Sequence, residues 1–558
     1  MRRFVVSLLL LMLCVPAVLA DEETAEEPWQ TSLKDVAIPM RDGKTLAANV
    51  LLPAKRGKYP CVLVQTPYNK DRMGREYGDD DKGGDAGRGS EKAWSRFDRE
   101  HYAYVFVDWR GFYGSKPAMR GVNKRQWKRG QDGYDCVEWI AEQSWCDGKV
   151  GTWGGSALGK QQFDTAAEQP PHLVCASPLI AYQGTRYEGY YEGGVMLEAH
   201  TMSLDMLGFG VGKLVKENPL PNRLWTFARN TSYHPGLIQV PCLMISGWWD
   251  NFPRDVVEQF NDLLNDGGGK AKESKLVMGP WSHTGVDVAE QGDMKFPKAE
   301  GWSTAVTLKF FDYYLRGIED SGWKEVEKVN VFQCNEGKWV SADSWNKLLG
   351  KETSYYLHAD GAVSTGKPGA ATEDKPLTRQ YNYDPKRPTP TIGGQNLPPL
   401  THGPKEVSRI ADRKDVLVYA TDKLAEPLAI RGEVALTVSF QCNRVDTDIS
   451  VRLCDESADG KLYLVGETIQ RAKLRNGKVE LLEPGKTCTL TLRLTPQAYT
   501  WPKDHRLKLI VTGGNAPRFE PNTGNGDDHF DRAKALDVDV TLLHDAQHPA
   551  ELKLPFVK

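Results

Sequence analysis

Short runs of apolar residues, bounded by polar or turn-forming residues, recur through the first 345 positions of the chain. Runs with the length of a buried strand lie at 60–65, 102–107, 172–178, 240–246 and 275–278. Apolar residues recur with helical spacing at 132–141, 254–264 and 305–316. Buried strands that alternate with helices predict a parallel sheet covered by helices on both faces.

Two segments depart from this alternation. At 36–52, two alternating runs flank Asp42-Gly43, a dipeptide that favours a hairpin turn. Residues 180–238 are rich in tyrosine, glycine and methionine and contain no apolar run like those of the sheet. We therefore predict a hairpin at the start of the domain and a cap inserted over the carboxyl edge of the sheet.

The pattern changes after about residue 345. A connector rich in proline, glycine and threonine covers 375–404, and short alternating runs separated by turn residues follow it. These runs lie at 416–420, 432–441, 448–455, 461–467, 487–494, 507–512 and 536–542. Since 558 residues exceed one hydrophobic core, we predict an α/β domain over 21–345 and an all-β sandwich or jelly roll over 346–558.

The first twenty residues have the composition of a secretory signal peptide. Arg2 and Arg3 precede an apolar run at 4–15, and Val18-Leu19-Ala20 forms a small-residue cleavage site. The sequence therefore predicts export to the periplasm or the extracellular space, with cleavage after Ala20. The apolar run is too short to cross a bilayer well, and no later stretch has eighteen uninterrupted apolar residues, so no membrane span is expected.

Charge and cysteine content narrow the possible partners. The net charge of −3, with no run of lysine or arginine, gives no support to nucleic-acid binding. Ten cysteines are present, one of them, Cys14, in the leader, and none lies in a CxxC motif. We expect neither a metal site nor a cofactor. Export permits one or two disulfides, but the sequence does not identify the pairs or the oligomeric state.

The segment VGTWGGSALG at 150–159 has the layout of a strand, a tight turn and a helix, with Ser156 at the turn. This is the arrangement of a nucleophile elbow, in which small neighbours let the backbone bend sharply and expose the serine hydroxyl. The usual elbow has glycine two residues after the serine, whereas Leu158 stands there and Gly159 follows. Taken alone, the segment fits either a nucleophile or an ordinary Gly/Ser turn.

A serine nucleophile requires a base and a carboxylate that orients the base. Asp250 and His283 each follow directly after a predicted strand, and they occur in the order serine, aspartate, histidine that α/β-hydrolases use. The alternatives are a helix N-cap for Asp250 and a packed loop residue for His283. Three candidates in the right order favour a catalytic triad of Ser156, Asp250 and His283.

Motifs spread along the chain identify a family. They are PMRDG at 39–43, TPYNK at 66–70, DWRG at 108–111, WCDGKVG at 145–151, GGSALG at 154–159, GWWD at 247–250, GPWSH at 279–283, DTD at 446–448 and HRL at 505–507. In these motifs the chain resembles the cocaine esterase-like (CocE/NonD) hydrolases, relatives of X-Pro dipeptidyl-peptidases and α-amino acid ester hydrolases. The resemblance implies an α/β-hydrolase fold with a helical cap, followed by a jelly-roll domain of the galactose-binding type.

The resemblance also implies roles for particular residues. Ser156 becomes the nucleophile, His283 its base and Asp250 the partner of that base. The oxyanion hole of the family combines the tyrosine hydroxyl of the Thr-Pro-Tyr motif, here Tyr68, with the backbone N–H after the serine, here that of Ala157. Many relatives have tyrosine at the position of Ala157, and its replacement removes one wall of the acyl pocket.

The sequence does not identify the substrate. Trp248 and Trp249 are candidate substrate-binding residues, and Glu188 and Glu192 lie in the cap, where they either anchor a substrate ammonium or are ordinary surface glutamates. The first function expected is hydrolysis of an ester or amide through an acyl-enzyme. The alternatives are an X-Pro dipeptidyl-peptidase or α-amino acid ester hydrolase, and a non-enzymatic carbohydrate-binding protein.

Overall fold

The computed structural model of the chain describes residues 29–73, 98–123, 126–372 and 377–557. The predicted signal peptide lies outside these ranges and stays a prediction. Within the ranges no helix is long and apolar enough to cross a bilayer. The cysteines at 61, 136, 146, 175, 242, 334, 442, 454 and 488 are all free, and all but Cys488 are buried. The disulfides that the sequence left open are therefore not formed among the described residues.

The first domain is built on a ten-stranded sheet with the order β1-β2-β4-β3-β5-β6-β7-β8-β9-β10. The strands are β1 (Ser32–Pro39), β2 (Thr45–Leu51), β3 (Tyr59–Thr66), β4 (Ala103–Asp108), β5 (Cys146–Gly155), β6 (Leu173–Leu179), β7 (Leu243–Trp249), β8 (Lys275–Ser282), β9 (Val329–Gln333) and β10 (Lys338–Ala342). All pairings from β4 through β9 are parallel. Every residue of β4 and β7 is buried, which requires cover on both faces of the sheet.

The parallel part of the sheet is flanked by antiparallel strands at both edges. β1 pairs with β2, β2 with β4, and β9 with β10, all antiparallel. The predicted hairpin accounts for the first edge, because a tight turn can join only antiparallel strands. At the other edge a turn with positive φ at Asn335 and Gly337 joins β9 to β10, two strands that the apolar pattern did not reveal.

Four helices pack against this sheet. They are α1 (Arg129–Ala141), α2 (Ala157–Ala167), α6 (Pro253–Asp266) and α7 (Trp302–Tyr314). α1 and α2 contact β3 and β5, whereas α6 and α7 contact β7. The two helices that the sequence placed at 254–264 and 305–316 correspond to α6 and α7, so the alternation of strands and helices is confirmed.

The predicted cap contains three helices, α3 (Glu198–Met206), α4 (Gly212–Lys216) and α5 (Arg223–Ser232). Ahead of them, a small hairpin pairs Tyr191–Glu192 with Val195–Met196. The cap has an apolar cluster of its own, formed by Tyr187, Tyr191, Met196, Val215 and Trp225. It also touches the second domain, because Val195 packs with Ile469 and Phe519.

The second domain contains a nine-stranded and a four-stranded sheet in which all pairings between strands are antiparallel. The larger sheet comprises Lys351–Leu357, Val363–Ser364, Thr378–Tyr383, Leu428–Gly432, Ala435–Cys442, Cys488–Arg493, Gln497–Trp501, Val538–Leu543 and Ala550–Val557. The smaller comprises Leu417–Ala420, Asp448–Glu456, Leu462–Arg471 and Arg506–Thr512. The first sheet ends at Ala342 and the second begins at Lys351, and one hydrophobic core runs through both domains.

Candidate active site

Ser156 occupies the sharp turn between β5 and α2. Its φ of 59° and ψ of −121° lie in a region that residues other than glycine rarely adopt. The turn is held from both sides, because the Ser156 N–H donates to the Leu179 carbonyl at 3.0 Å and the Ser156 carbonyl accepts from the Lys160 N–H at 3.0 Å. This strained backbone, fixed by the neighbouring strand and helix, is the geometry expected of a nucleophile elbow.

The structure explains why glycine comes one residue later than in the usual elbow. A Cβ atom built at Gly159 would lie 2.5 Å from the Cβ atom of Ala181 and 3.0 Å from the Leu179 carbonyl oxygen. A Cβ atom at Gly154 would lie 2.7 Å from the Cβ of Leu158. The first turn of α2 therefore passes so close to the end of β6 that position 159 requires glycine, whereas position 158 has room for leucine.

Asp250 and His283 form a buried hydrogen-bonded pair just beyond the ends of β7 and β8. The His283 Nδ1 atom lies 2.7 Å from the Asp250 Oδ1 atom, and Asp250 has no exposed surface. The carboxylate also accepts from the Ser246 hydroxyl at 2.8 Å and from the Asn251 N–H at 2.6 Å. These contacts fix the carboxylate, which in turn fixes the orientation of the imidazole.

Tyr68 follows the end of β3, and its hydroxyl faces the nucleophile elbow. Burial raises the pKa of the Tyr68 phenol, while hydrogen bonding with the Ser156 side chain and with the backbone of Ala157 acts in the opposite direction. The loop is held by Asp108, whose carboxylate accepts from the Lys70 N–H at 2.7 Å and from the Gly114 N–H at 3.0 Å. The two predicted oxyanion groups therefore lie side by side next to Ser156.

The topology of the sheet explains why these distant residues meet. β3, β5, β7 and β8 are parallel, so their carboxyl ends lie at one edge of the sheet. In an open α/β sheet this edge is where ligands bind. A Cβ atom at Gly247 would lie 2.1 Å from the Trp281 carbonyl oxygen, which shows how closely β8 passes beside β7 before the Asp250–His283 pair.

A cavity of about 300 Å³ lies beside this edge. Its wall comes from three parts of the chain: the cap, the loop after Asp250 with the start of α6, and the second domain. Phe252 lines the cavity, and its ring centroid lies 5.7 Å from that of His283 in an edge-to-face contact. The cavity therefore adjoins the buried Asp250–His283 pair and is the candidate substrate site.

The four predicted substrate-binding residues have different environments. Glu188 and Glu192 both line the cavity, and Glu192 forms an ion pair with Arg518 at 3.2 Å. Trp248 and Trp249 are at most 1% exposed. The Trp248 indole N–H donates to the Phe332 carbonyl, and Trp249 stacks on Phe296. The prediction that these tryptophans bind substrate is therefore wrong, because they lie in the core beneath the site.

Sequence reasoning missed several residues of the cavity wall. His200 of the cap, Phe252, and Gln395 and Arg518 of the second domain all line the cavity. The Gln395 amide also donates to the Trp248 carbonyl at 2.9 Å, next to the loop that carries Asp250. Nothing in the sequence signals these contacts, since Gln395 and Arg518 lie far from the motifs of the first domain.

Comparisons with known proteins agree with this architecture. Residues 42–235 and 211–285 match the X-Pro dipeptidyl-peptidase (S15 family) domain, and residues 321–553 match the X-Pro dipeptidyl-peptidase C-terminal non-catalytic domain. The cocaine esterase of Rhodococcus sp. is 26% identical over 94% of this chain and 98% of its own length.

Solved structures show the same fold over nearly the whole chain. An aminopeptidase from a marine sediment Thaumarchaeota archaeon has a TM-score of 0.78 at 20% identity, covering 97% of this chain and 99% of its own. An α-amino acid ester hydrolase has a TM-score of 0.77 at 20% identity, covering 98% of this chain and 100% of its own. A CocE/NonD family hydrolase from Staphylococcus aureus has a TM-score of 0.67 at 18% identity, covering 94% of each chain. The chain thus belongs to the CocE/NonD (cocaine esterase-like) α/β-hydrolases, relatives of X-Pro dipeptidyl-peptidases and α-amino acid ester hydrolases, and is a serine hydrolase.

Proposed function

We propose that this hydrolase cleaves an acyl ester or amide bond through an acyl-enzyme formed on Ser156. The observation that carries the proposal is the meeting, at one sheet edge, of a strained serine turn, a buried aspartate–histidine pair and a tyrosine hydroxyl. Each part has a distinct role in acyl transfer, and the cavity beside them has room for a small molecule or a short peptide.

The first step is attack of the Ser156 hydroxyl oxygen on the substrate carbonyl carbon. His283 takes the serine proton at Nε2, because Nδ1 is engaged by Asp250, and the carboxylate stabilises the imidazolium that forms. Collapse of the tetrahedral intermediate breaks the bond to the leaving group, which receives the proton from His283. Water then attacks the acyl-enzyme by the same route and regenerates the serine.

Negative charge develops on the substrate carbonyl oxygen during both steps. The Tyr68 hydroxyl and the Ala157 N–H lie beside Ser156 and supply two donors to that oxygen. Ala157 is the first residue of α2, so the positive end of the helix dipole adds to the stabilisation. Donors fixed in advance at this position stabilise the transition state more than the substrate.

Labelling with a fluorophosphonate probe tests the proposal. The wild type and a Ser457→Ala control, which changes a serine in an exposed turn of the second domain, should be labelled, whereas Ser156→Ala should not. Turnover of 4-nitrophenyl esters should fall to background in Ser156→Ala while the thermal unfolding midpoint stays close to that of the wild type. Labelling or turnover that survives the loss of Ser156 would contradict the proposal.

A second candidate function is release of amino-terminal dipeptides or hydrolysis of α-amino acid esters. It rests on Glu188, an exposed cavity residue for which the described structure shows no ion pair, in contrast to Glu192. A carboxylate there would attract a substrate ammonium. Glu188→Gln should then raise KM for X-Pro anilides or aminoacyl esters and leave KM for N-acetylated analogues unchanged. Equal KM changes for both classes would leave simple esters and amides as the substrates.

We also propose that the enzyme acts outside the cytoplasm, on the evidence of the leader-like residues at 1–20. Expression of the full chain in a bacterial host should yield a mature protein that begins at Asp21 in the periplasm or medium. A cytoplasmic protein that keeps its leader would show that these residues are not a signal peptide.

A further inference from the structure

His200 is a buried polar side chain that the proposed mechanism does not use. It lies on the cap helix α3, is 9% exposed, and lines the cavity. Its Nδ1 atom is buried and has no hydrogen-bond partner in the described structure. Among the described residues no hydrogen bond engages its Nε2 atom either, and Nε2 is not among the fully buried atoms. Burying a polar side chain without a partner costs free energy, so a molecule in the cavity that hydrogen-bonds Nε2 would bind more tightly.

The imidazole is held by aromatic contacts that lead to the proposed base. Its centroid lies 5.8 Å from that of Phe252 in an edge-to-face contact, and Phe252 packs in the same manner against His283. On its other side the ring lies 6.2 Å from that of Tyr190. His200 is therefore a fixed part of the cavity wall, separated from His283 by a single phenyl ring.

The imidazole of His200 is neutral throughout the physiological range. Burial lowers its pKa to about 3, and the positive charges of Lys160 and Arg518, together with an imidazolium at His283 whenever one forms, act in the same direction. A neutral imidazole offers one donor and one acceptor. It therefore complements a neutral polar group, whereas an ionic group is attracted to the charged residues of the same wall, such as Glu188 or Arg518.

We propose that His200 is a specificity-determining residue that hydrogen-bonds a neutral polar group, an amide or a hydroxyl, of the substrate held in this cavity. The proposal deepens the proposed hydrolase function and rests on it. His200 takes no part in proton transfer. It favours substrates whose polar group reaches the cap over substrates with an apolar group in the same place.

The test compares pairs of 4-nitrophenyl esters and anilides that are matched in length. One member carries an amide or hydroxyl and the other a methyl or methylene in its place, in one series within the acyl chain and in another within the leaving group. His200→Phe keeps an aromatic ring against Phe252 but cannot form the hydrogen bond, and His200→Gln restores a donor and an acceptor. The readout is the ratio of kcat/KM for the polar member to that for the apolar member.

His200→Phe should lower this ratio about tenfold, the effect of losing one hydrogen bond, and His200→Gln should restore part of it. His172→Phe is the control, because His172 is partly exposed and precedes β6 at the opposite edge of the sheet. Its ratio should equal that of the wild type. A ratio unchanged by His200→Phe in both series would overturn the proposal, even if both rates fall, since equal losses indicate a purely structural role.

The outcome is separable from that of the proposed function. Fluorophosphonate labelling of Ser156 in each His200 variant reports whether the nucleophile remains reactive. If Ser156→Ala keeps its turnover, the acyl-enzyme proposal fails whatever the ratio shows. If Ser156 is labelled and the ratio does not move, the inference about His200 alone fails.

Discussion

Replacing Tyr68 with phenylalanine removes one hydroxyl and almost no volume. The phenyl ring keeps its place after β3, since the loop is held by backbone bonds to Asp108 that the change does not touch. The Ala157 N–H also remains. The substitution therefore isolates the contribution of one of the two donors expected to face the developing oxyanion.

The magnitude follows from the position of the hydroxyl beside Ser156 and Ala157. Loss of one donor from an oxyanion hole costs about 3 kcal/mol, or roughly 10²- to 10³-fold in rate. The bond strengthens as charge moves onto the carbonyl oxygen, so the loss should appear in kcat, with KM nearly unchanged. The thermal unfolding midpoint should stay close to that of the wild type.

Steady-state kinetics with a 4-nitrophenyl ester, together with single-turnover measurement of the acylation step, would test this expectation. Tyr59→Phe is a matched control, because Tyr59 begins the same strand at its opposite end and its hydroxyl donates to the Lys55 carbonyl. That variant should keep full activity. A Tyr68→Phe enzyme with normal kcat and a raised KM would show that Tyr68 only lines the substrate site.

Three further predictions concern the acid, the elbow and the response to pH. Asp250→Asn should reduce kcat by up to about 10⁴-fold; nearly normal turnover in a kinetic assay would mean that another group orients His283. Gly159→Ala, whose Cβ atom would lie 2.5 Å from that of Ala181, should lower the free energy of unfolding by about 1–3 kcal/mol, and an unchanged urea midpoint would refute this. Burial lowers the pKa of His544 from 6.5 to about 4, so its stabilising contribution is present above pH 6.5 and is lost as the pH falls towards 4. Between pH 7 and pH 5 the free energy of unfolding of the wild type should fall by about 2 kcal/mol more than that of His544→Gln. An equal fall in both proteins, measured by urea unfolding, would contradict this role of His544.

The parts of the site that lie at strand ends could be predicted from the sequence. Ser156, Asp250 and His283 each follow a short apolar run, and that local pattern reports both the strand and its end. Their order along the chain then indicates acyl-transfer chemistry. The packing that demands glycine at position 159 could not be predicted, because it depends on Ala181, at the start of the cap.

The local pattern of apolar and polar residues did not predict strands or roles that depend on contacts with distant parts of the chain. β9 was missed because it carries the polar residues Asn330 and Gln333, both buried. The Gln333 amide donates to Thr500, in the second domain, at 3.0 Å, so the partner that makes its burial possible lies far along the chain. Trp248 was predicted to bind substrate, but its indole is buried and donates to the carbonyl of Phe332 in β9, a strand that the apolar pattern did not reveal.

The sheet edge and the cavity wall are built from different parts of the chain, and this affects how the substrate preference of the enzyme can change. The proposed catalytic residues lie at the ends of strands that neighbouring strands hold in register, whereas the cavity wall is assembled from the cap, the segment after Asp250 and the second domain. One part of the wall can therefore be exchanged while the proposed catalytic residues stay in place. Grafting a different cap between positions 180 and 238 is thus a direct route to a new substrate preference, and selection during evolution can follow the same route.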